Sequence, residues 1–81
     1  MTITMYSTTT CTTCKGLGDW LNQKGFEYTK KNVDEDEQAM IEFMSLNDDM
    51  IGVPFTVIDD NGTLTKVSGY DRKSFTQALN M

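Results

Sequence analysis

The sequence predicts an α/β fold with the element order β-α-β-α-β-β-α. An alternating segment at the N-terminus is followed by a helical pattern of apolar residues, and this succession then occurs a second time. A β-α-β unit favours parallel strands joined by a right-handed crossover. A hairpin signal at Asn61-Gly62 adds an antiparallel pair. We therefore expect a four-stranded mixed sheet packed by helices, in a single domain spanning residues 1–81.

The first strand and helix are predicted from two different periodicities. Residues 2–7 alternate, with Ile3 and Met5 on one side, which predicts a strand. The segment after the cysteines predicts a helix, because three apolar residues fall at i, i+3 and i+4 and form one buried stripe: Leu17, Trp20 and Leu21. Gly25 is expected to end this helix as its C-terminal glycine.

A second strand and helix follow. Residues 26–33 predict the strand, and the acidic run of residues 34–37 predicts the first helical turn, where the helix dipole favours carboxylates. The alternative for this run is an acidic or metal-binding patch. Met40 and Met44 continue the helical pattern, and we expect both to fill the core. Residues 47–49 are expected to close the helix.

The last part of the chain predicts a hairpin and a helix. Residues 53–58 are rich in β-forming residues, and residues 63–67 are expected to pair back antiparallel after the Asn61-Gly62 turn. Residues 68–71 form a turn into a final helix, in which three apolar residues share a face: Phe75, Ala78 and Leu79.

Charge and hydropathy exclude several classes of function. Acidic residues outnumber basic ones twelve to seven, giving a net charge of −5, which argues against a nucleic-acid partner. The N-terminus lacks the features of a signal peptide, and no apolar segment is long enough to cross a membrane. We therefore expect a monomeric cytoplasmic protein without a membrane partner. Thiols are kept reduced in that compartment, so a close cysteine pair is expected to be catalytic or metal-binding.

The chain contains two cysteines, Cys11 and Cys14, and no histidine. A disulfide between them would close a four-residue loop and stabilise the fold by only about 2 kcal/mol in the chain-entropy model. Stability is therefore a weak reason for the pair, and chemistry is a better one.

The position of the pair favours thiol–disulfide exchange. Cys11 falls where the first strand gives way to the first helix, so unpaired N–H groups and the helix dipole point at its sulfur and favour the thiolate. Lys15 adds a positive charge nearby. Cys14 lies one turn further in, is expected to be more buried, and is within disulfide reach. One cysteine would attack a target disulfide, and the other would resolve the mixed disulfide.

Two alternatives to exchange stay open at this stage. A structural zinc site needs four ligands, and one chain offers two thiols, so a zinc ion or an iron–sulfur cluster would have to bridge two chains through Cys11. The thiols could also be inert. A C-x-x-C motif that follows a strand and opens a helix favours redox exchange, and we assign no metal site.

Pro54 is the single proline of the chain and precedes the third predicted strand. A cis bond between Val53 and Pro54 would leave the Val53 backbone free to pair with an extended substrate segment. The alternative is that Pro54 simply begins a strand, where proline is tolerated.

Four segments resemble the glutaredoxin branch of the thioredoxin superfamily over almost the whole chain: ITMYSTTTCTTC, GFEYTKKNVDED, GVPFTVI and SGYDRKSF. Within that branch the chain most resembles the NrdH-type redoxins, small glutaredoxin-shaped proteins that reduce ribonucleotide reductase. The resemblance implies a thioredoxin fold, a cis Pro54, Cys11 as nucleophile and Cys14 as resolving thiol. It implies no tightly bound cofactor, with glutathione as a candidate co-substrate.

Departures from the family pattern leave the reductant open between thioredoxin reductase and glutathione. The dipeptide between the cysteines is unusual, and residues 7–10 lack the basic residue that glutaredoxins carry there, which weakens a glutathione carboxylate clamp. Asp71, however, sits where glutaredoxins hold the glutathione amine. The substrate-contacting residues expected from the resemblance and from the cysteine loop are Thr10, Thr12, Thr13, Lys15, Val53, Pro54, Ser68, Gly69, Tyr70 and Asp71.

Overall fold

The computed structural model describes residues 1–46 and 52–79. The elements follow the predicted order: β1 (Thr2–Ser7), α1 (Thr12–Gln23), β2 (Thr29–Asn32), α2 (Glu37–Leu46), β3 (Phe55–Asp60), β4 (Thr63–Ser68) and α3 (Arg72–Ala78). The predicted helix end at residues 47–49 lies outside the described residues. Of the helices in the described part of the chain, none is both long and apolar enough to cross a membrane.

The four strands form one mixed sheet in the order β2-β1-β3-β4. Strands β1 and β2 are parallel, with Thr4 opposite Thr29, as the crossover through α1 requires. Strand β3 runs antiparallel to both β1 and β4, and Tyr6 lies opposite Phe55. The end of β1 and the beginning of β3 therefore meet at the same end of the sheet.

Helices α1 and α3 cover one face of the sheet, which we call the α1/α3 face. The predicted stripe of α1 is confirmed, since Leu17 and Leu21 are fully buried and Trp20 is nearly so. The buried cluster on this face consists of Ile3, Met5, Cys14, Leu17, Trp20, Leu21, Ile58, Val67, Phe75 and Leu79.

Helix α2 covers the opposite face, which we call the α2 face. Its buried cluster consists of Tyr6, Val33, Ala39, Phe55 and Val57. The prediction that Met40 and Met44 fill the core is wrong, because their exposed fractions are 36% and 57%. Ala39 and Phe43 lie one turn apart and face the sheet instead, and each methionine follows one of them by a single residue, about 100° around the helix.

A short polar network fixes α2 to the sheet. The Glu42 carboxylate accepts hydrogen bonds from the Lys31 ammonium at 2.7 Å and from the Tyr6 hydroxyl at 3.1 Å. Burial, reinforced by Glu42, raises the pKa of Tyr6 to about 12. Tyr6 is therefore a neutral hydrogen-bond donor throughout the physiological range.

The second strand is shorter than the predicted segment of residues 26–33, because the chain is still completing the end of α1. The Gly25 N–H donates to the Asn22 carbonyl and the Phe26 N–H donates to the Leu21 carbonyl, the pattern of a Schellman motif. Gly25 has φ +83°, so the predicted C-terminal glycine is confirmed.

The predicted β3–β4 hairpin is confirmed. Asn61 and Gly62 both have positive φ, 53° and 92°, as a two-residue type I′ turn requires. The Asp59 carboxylate accepts a hydrogen bond from the Gly62 N–H at 3.0 Å. This turn lies at the end of the sheet opposite to Pro54, because β3 runs from one end to the other.

Candidate active site

Cys11 occupies the position that the sequence predicts for it, between β1 and α1. It is the N-cap of α1, with an extended backbone (φ −82°, ψ 103°), and its sulfur accepts a hydrogen bond from the Cys14 N–H at 3.1 Å. The side chain is half-exposed. A partner molecule can therefore reach the Cys11 sulfur, and an amide of the first helical turn already points at it.

Cys14 is the inner member of the pair, with an exposed fraction of 0%. The two residues form a disulfide across a Cα–Cα distance of 5.3 Å. Between and after them, Thr12, Thr13 and Lys15 are exposed in the first turns of α1. The pair thus combines an accessible outer sulfur with an inner sulfur enclosed by the core.

Asp34 holds the loop that leads to Cys11, a role that the sequence did not predict. Its carboxylate accepts hydrogen bonds from the Thr9 hydroxyl at 2.6 Å and from the Thr9 N–H at 3.1 Å. The Thr9 side chain, followed by the Thr9 N–H, lowers the pKa of Asp34 from its usual value. In the same loop the Cys11 N–H donates to the Thr8 carbonyl at 3.3 Å. Two residues of the acidic run therefore have different roles: Asp36 caps α2, and Asp34 anchors the cysteine loop.

The peptide bond between Val53 and Pro54 is cis, as expected from the resemblance. Pro54 directly precedes Phe55, whose partner Tyr6 is next to the end of β1, so this bond lies at the cysteine end of the sheet. The Pro54 carbonyl accepts a hydrogen bond from the Gly69 N–H at 2.8 Å. Among the described residues no backbone hydrogen bond involves Val53, so its backbone has no partner within that part of the chain.

The predicted turn of residues 68–71 begins at the last residue of β4, Ser68, and the segment that follows it packs beside α1. Gly69 has φ +73°, a conformation that suits glycine, and the Tyr70 ring lies 6.2 Å from the Trp20 ring. The same tyrosine ring also lies against Gly16 of α1. This turn therefore borders the cysteine helix, with Ser68 exposed at its start.

Asp71 is the N-cap of α3. Its carboxylate accepts hydrogen bonds from the Ser74 hydroxyl at 2.8 Å and from the Ser74 N–H at 3.3 Å, and the hydroxyl is the main reason that the pKa of Asp71 is lowered. Both carboxylate oxygens are thus used within the protein. The Arg72 guanidinium lies 5.3 Å from the Tyr70 ring and 6.0 Å from the Trp20 ring.

A crevice of about 260 Å³ lies beside the outer cysteine. It is lined by Thr9, Thr10, Cys11, Thr12, Lys15 and Lys30. Within residues 1–46 and 52–79 the one ion pair joins Lys31 to Glu42, so neither lysine of the crevice is paired with a carboxylate there. Lys30 comes from β2 and is brought to the cysteine only by the parallel pairing with β1, which is why the sequence did not indicate it.

The described residues contain no group of three histidine, cysteine, aspartate or glutamate side chains that could hold a metal ion. Two carboxylates of the acidic run already have partners, Asp34 with Thr9 and Asp36 with the first turn of α2. The reactive groups of the site are two sulfurs, the half-exposed sulfur of Cys11 and the buried sulfur of Cys14.

Comparisons with known proteins identify the same architecture. The glutaredoxin family model matches residues 3–62. A glutaredoxin from Methanosarcina mazei Go1 is 26% identical, with a TM-score of 0.79, and the match covers 99% of this chain and 79% of that one. The glutaredoxin-like protein NrdH-redoxin from Escherichia coli is 21% identical with a TM-score of 0.77, covering 95% of this chain and 93% of that one.

A buckwheat glutaredoxin, solved as a complex with glutathione, is 19% identical with a TM-score of 0.69 and coverages of 96% and 69%. The comparison with curated proteins finds no match. The structural likenesses establish the thioredoxin-type fold that the resemblance implied, and the family model covers well over half of the chain. The chain therefore belongs to the glutaredoxin family of thiol–disulfide oxidoreductases, with a Cys-x-x-Cys pair at Cys11 and Cys14.

Proposed function

We propose that this protein reduces protein disulfides by two-thiol exchange, with ribonucleotide reductase as acceptor and thioredoxin reductase as electron source. The observation that carries the mechanism is the asymmetry of the pair: Cys11 is half-exposed at a helix N-terminus, and Cys14 is fully buried behind it. The reducing cytoplasm, where thiols are kept reduced, is the compartment that suits this reaction.

In the first step the Cys11 thiolate attacks one sulfur of the substrate disulfide. The hydrogen bond from the Cys14 N–H and the N-terminal end of α1 stabilise negative charge on the attacking sulfur. The substrate S–S bond breaks as the Cys11–substrate bond forms. The departing substrate sulfur leaves with the bonding electron pair and takes a proton from water.

In the second step Cys14 loses its proton to water and attacks the Cys11 sulfur. The Cys11–Cys14 disulfide forms, the Cys11–substrate bond breaks, and the second substrate sulfur leaves as a thiolate that is then protonated. The protein has been oxidised by two electrons and the substrate disulfide has been reduced. The distance between the two residues already permits the product disulfide.

The substrate segment is proposed to bind between the cis peptide and the crevice. Among the described residues the Val53 backbone has no hydrogen-bond partner, which supports its pairing with an extended substrate segment in the manner of strand addition. On the other side of Cys11, Lys15 and Lys30 present two positive charges to the flank of the substrate cysteine. We therefore assign this site to disulfides that carry a carboxylate close to the reactive sulfur.

The capping role of Asp71 supports thioredoxin reductase over glutathione as the reductant. A carboxylate that caps α3 through Ser74 would have to give up part of that cap to hold a glutathione amine. Glutathione remains the second candidate, because the chain shares its fold with a glutaredoxin solved as a glutathione complex.

An assay of NADPH consumption tests both the reaction and the reductant. Oxidised protein is supplied with NADPH and either thioredoxin reductase or glutathione plus glutathione reductase, with insulin or ribonucleotide reductase as acceptor. We expect turnover with thioredoxin reductase, and none after Cys11→Ser. Turnover with glutathione alone would overturn the proposed reductant, and activity that survives Cys11→Ser would overturn the mechanism.

The assignment of an acidic substrate flank has its own test. Lys30→Glu should lower kcat/KM for a peptide disulfide flanked by glutamate by about 1.5- to 5-fold, since an exposed ion pair contributes about 0.2–1 kcal/mol. The same peptide with glutamine in place of glutamate should not be affected in this way. Lys66→Glu, which makes the same charge change on the opposite edge strand, is the matched control. Equal effects of both variants on both peptides would contradict a local role for Lys30.

A further inference from the structure

Thr56 carries a buried hydroxyl without a hydrogen-bond partner. Its exposed fraction is 0%, and within the described part of the chain its Oγ1 is the one buried side-chain nitrogen or oxygen that forms no hydrogen bond. Nearly all buried polar groups in folded proteins are hydrogen-bonded, because an unpaired one has lost its bonds to water without replacement. The presence of a hydroxyl at this buried position therefore needs an explanation other than packing.

The sheet register places this hydroxyl in the same buried layer as Cys14. Thr56 lies directly opposite Met5 of β1 and Val67 of β4, and residues opposite one another across a sheet project from the same face. Both neighbours belong to the buried cluster of the α1/α3 face, and Cys14 is a member of that cluster.

Thr56 is also at the cysteine end of this layer. It follows Phe55, the partner of Tyr6 near the end of β1, and Cys14 is in the first turn of the helix that begins beyond that end. The Cys14 side chain has no exposed surface in the disulfide form, which places its sulfur inside this buried layer. A buried donor and a buried sulfur thus lie in one layer, at one end of the sheet.

We propose that the Thr56 hydroxyl donates a hydrogen bond to the Cys14 sulfur when the cysteine pair is reduced, and that this bond promotes the resolving step. In the structure, which holds the disulfide, the hydroxyl has no hydrogen-bond partner among the described residues. In the reduced protein the hydroxyl donates to the Cys14 sulfur, and this bond strengthens when Cys14 loses its proton for the resolving step, because hydrogen bonds to charged groups are stronger than those between neutral groups.

This inference rests on the proposed two-thiol reaction and concerns its second step. Cys14 must become a thiolate in a place where burial opposes the charge, and a hydroxyl donor offsets part of that cost. The thiolate then attacks the Cys11 sulfur, the Cys11–Cys14 bond forms, and the substrate sulfur leaves with the electron pair and is protonated by water. Thr56 neither gains nor loses a proton in the balance, since its hydrogen bond is broken as the new disulfide forms.

The proposed hydrogen bond should also shift the equilibrium between the reduced and the disulfide form. Because the hydroxyl is paired only in the reduced form, it stabilises that form relative to the disulfide. Thr56→Val, which removes the donor but keeps the shape, should shift the equilibrium with glutathione towards the disulfide by between about two- and tenfold. A tenfold shift corresponds to about 30 mV towards a more negative potential.

The equilibrium is measured on the full chain in glutathione redox buffers, for the native protein and three variants. Thr56→Ser keeps the hydroxyl and should restore most of the native potential. Thr65→Val makes the same chemical change at an exposed position of β4 and should leave the potential unchanged. If Thr56 only helped packing, the valine variant would change the stability of both redox forms equally, and an unchanged potential would overturn the proposal.

Stopped-flow reaction with a chromogenic aromatic disulfide gives a kinetic test, because attack by Cys11 and resolution by Cys14 release chromophore in two phases. We expect Thr56→Val to slow the second phase at neutral pH and move its pH profile to higher pH, without changing the first phase. An unchanged second phase, with the first phase abolished by Cys11→Ser, would overturn this inference while leaving the proposed function intact. A Cys11→Ser variant that retains both phases would overturn the proposed function itself.

Discussion

The two faces of the sheet differ in how completely they are covered. Among the described residues the α1/α3 face buries a cluster of ten side chains, and the α2 face buries a cluster of five. Helix α2 also leaves Met40, Ile41 and Met44 exposed, whereas the apolar stripe of α1 is buried. One face is therefore a packed core, and the other is a thinner layer with apolar side chains on its outer side.

The difference shows where the chemistry depends on packing. Cys14 is one of the ten residues of the well-covered cluster, so the surroundings of the inner sulfur are fixed by the core. The α2 side contributes to the site through a polar contact instead, because the Asp34 carboxylate accepts a hydrogen bond from Thr9 in the cysteine loop. Substitutions on the α1/α3 face should therefore lower the free energy of unfolding through lost packing, and substitution of Asp34 should lower it through a lost polar contact.

The largest difference is expected from the same substitution made on each face. Phe75→Ala removes a fully buried ring from the α1/α3 face and should lower the free energy of unfolding by about 3–5 kcal/mol. Phe43→Ala removes a partly buried ring from the α2 face and should cost less than about 3 kcal/mol. Denaturant midpoints at low temperature measure both. Phe75→Leu provides a milder variant if the alanine variant does not fold, and equal losses at the two positions would contradict the comparison.

Gly18→Ala tests how tightly side chains pack around α1 on the α1/α3 face. A methyl group at Gly18 would collide with the Tyr28 hydroxyl and approach its ring carbon to 2.9 Å. Because overpacking typically costs about 1–3 kcal/mol, we expect a loss in that range, although alanine is the better helix former. Adding Tyr28→Phe should recover part of the loss by removing the colliding hydroxyl. No loss in the single variant would mean that Tyr28 moves aside freely.

Asp34→Asn tests the contribution of the α2 side and should have a smaller, pH-dependent effect. The folded pKa of Asp34 is lowered, so the stabilisation is fully present above the ordinary value of 3.8 and is lost as the pH falls through the folded value. The variant should therefore be less stable than the native protein at neutral pH, and the gap should close below about pH 4. Urea titrations across this range measure it. A gap that is constant down to strongly acidic pH would exclude the carboxylate as its source.

The smallest effect is expected on the outer side of α2. Met44→Lys replaces a side chain that is 57% exposed, and substitutions at such positions usually change stability by less than about 0.5 kcal/mol. Thermal unfolding of the variant beside the native protein is sufficient. A large loss would show that Met44 is buried in solution, for instance against a second copy of the chain.

The α1/α3 side was the more predictable from sequence, and the reason is physical. Leu17 and Leu21 repeat at helical spacing because their helix buries one stripe against the sheet, and Gly25 ends it because that position has a positive φ. The spacing of Met40 and Met44 obeys the same rule without being buried, because periodicity shows that a face is apolar but not that a neighbour covers it.

The role of the cysteine pair could be anticipated from residue type and from its position between a strand and a helix, whereas the cis Pro54 was implied by the family resemblance. The parts of the site that sequence reasoning missed all depend on contacts between distant residues. Asp34 meets Thr9 across 25 positions, and Lys30 reaches the crevice through strand pairing. The unpaired hydroxyl of Thr56 is visible only once the burial of every neighbour is known.

The Asn61–Gly62 turn has a practical consequence. It joins the ends of β3 and β4 that are farthest from Pro54, and both of its residues are exposed. Exposed turn tips tolerate inserted segments better than other parts of a domain. A flexible linker placed there would tether the protein to an electrode or a bead with the outer sulfur turned towards the solution, so that electron exchange with a dissolved partner could be followed on an immobilised layer.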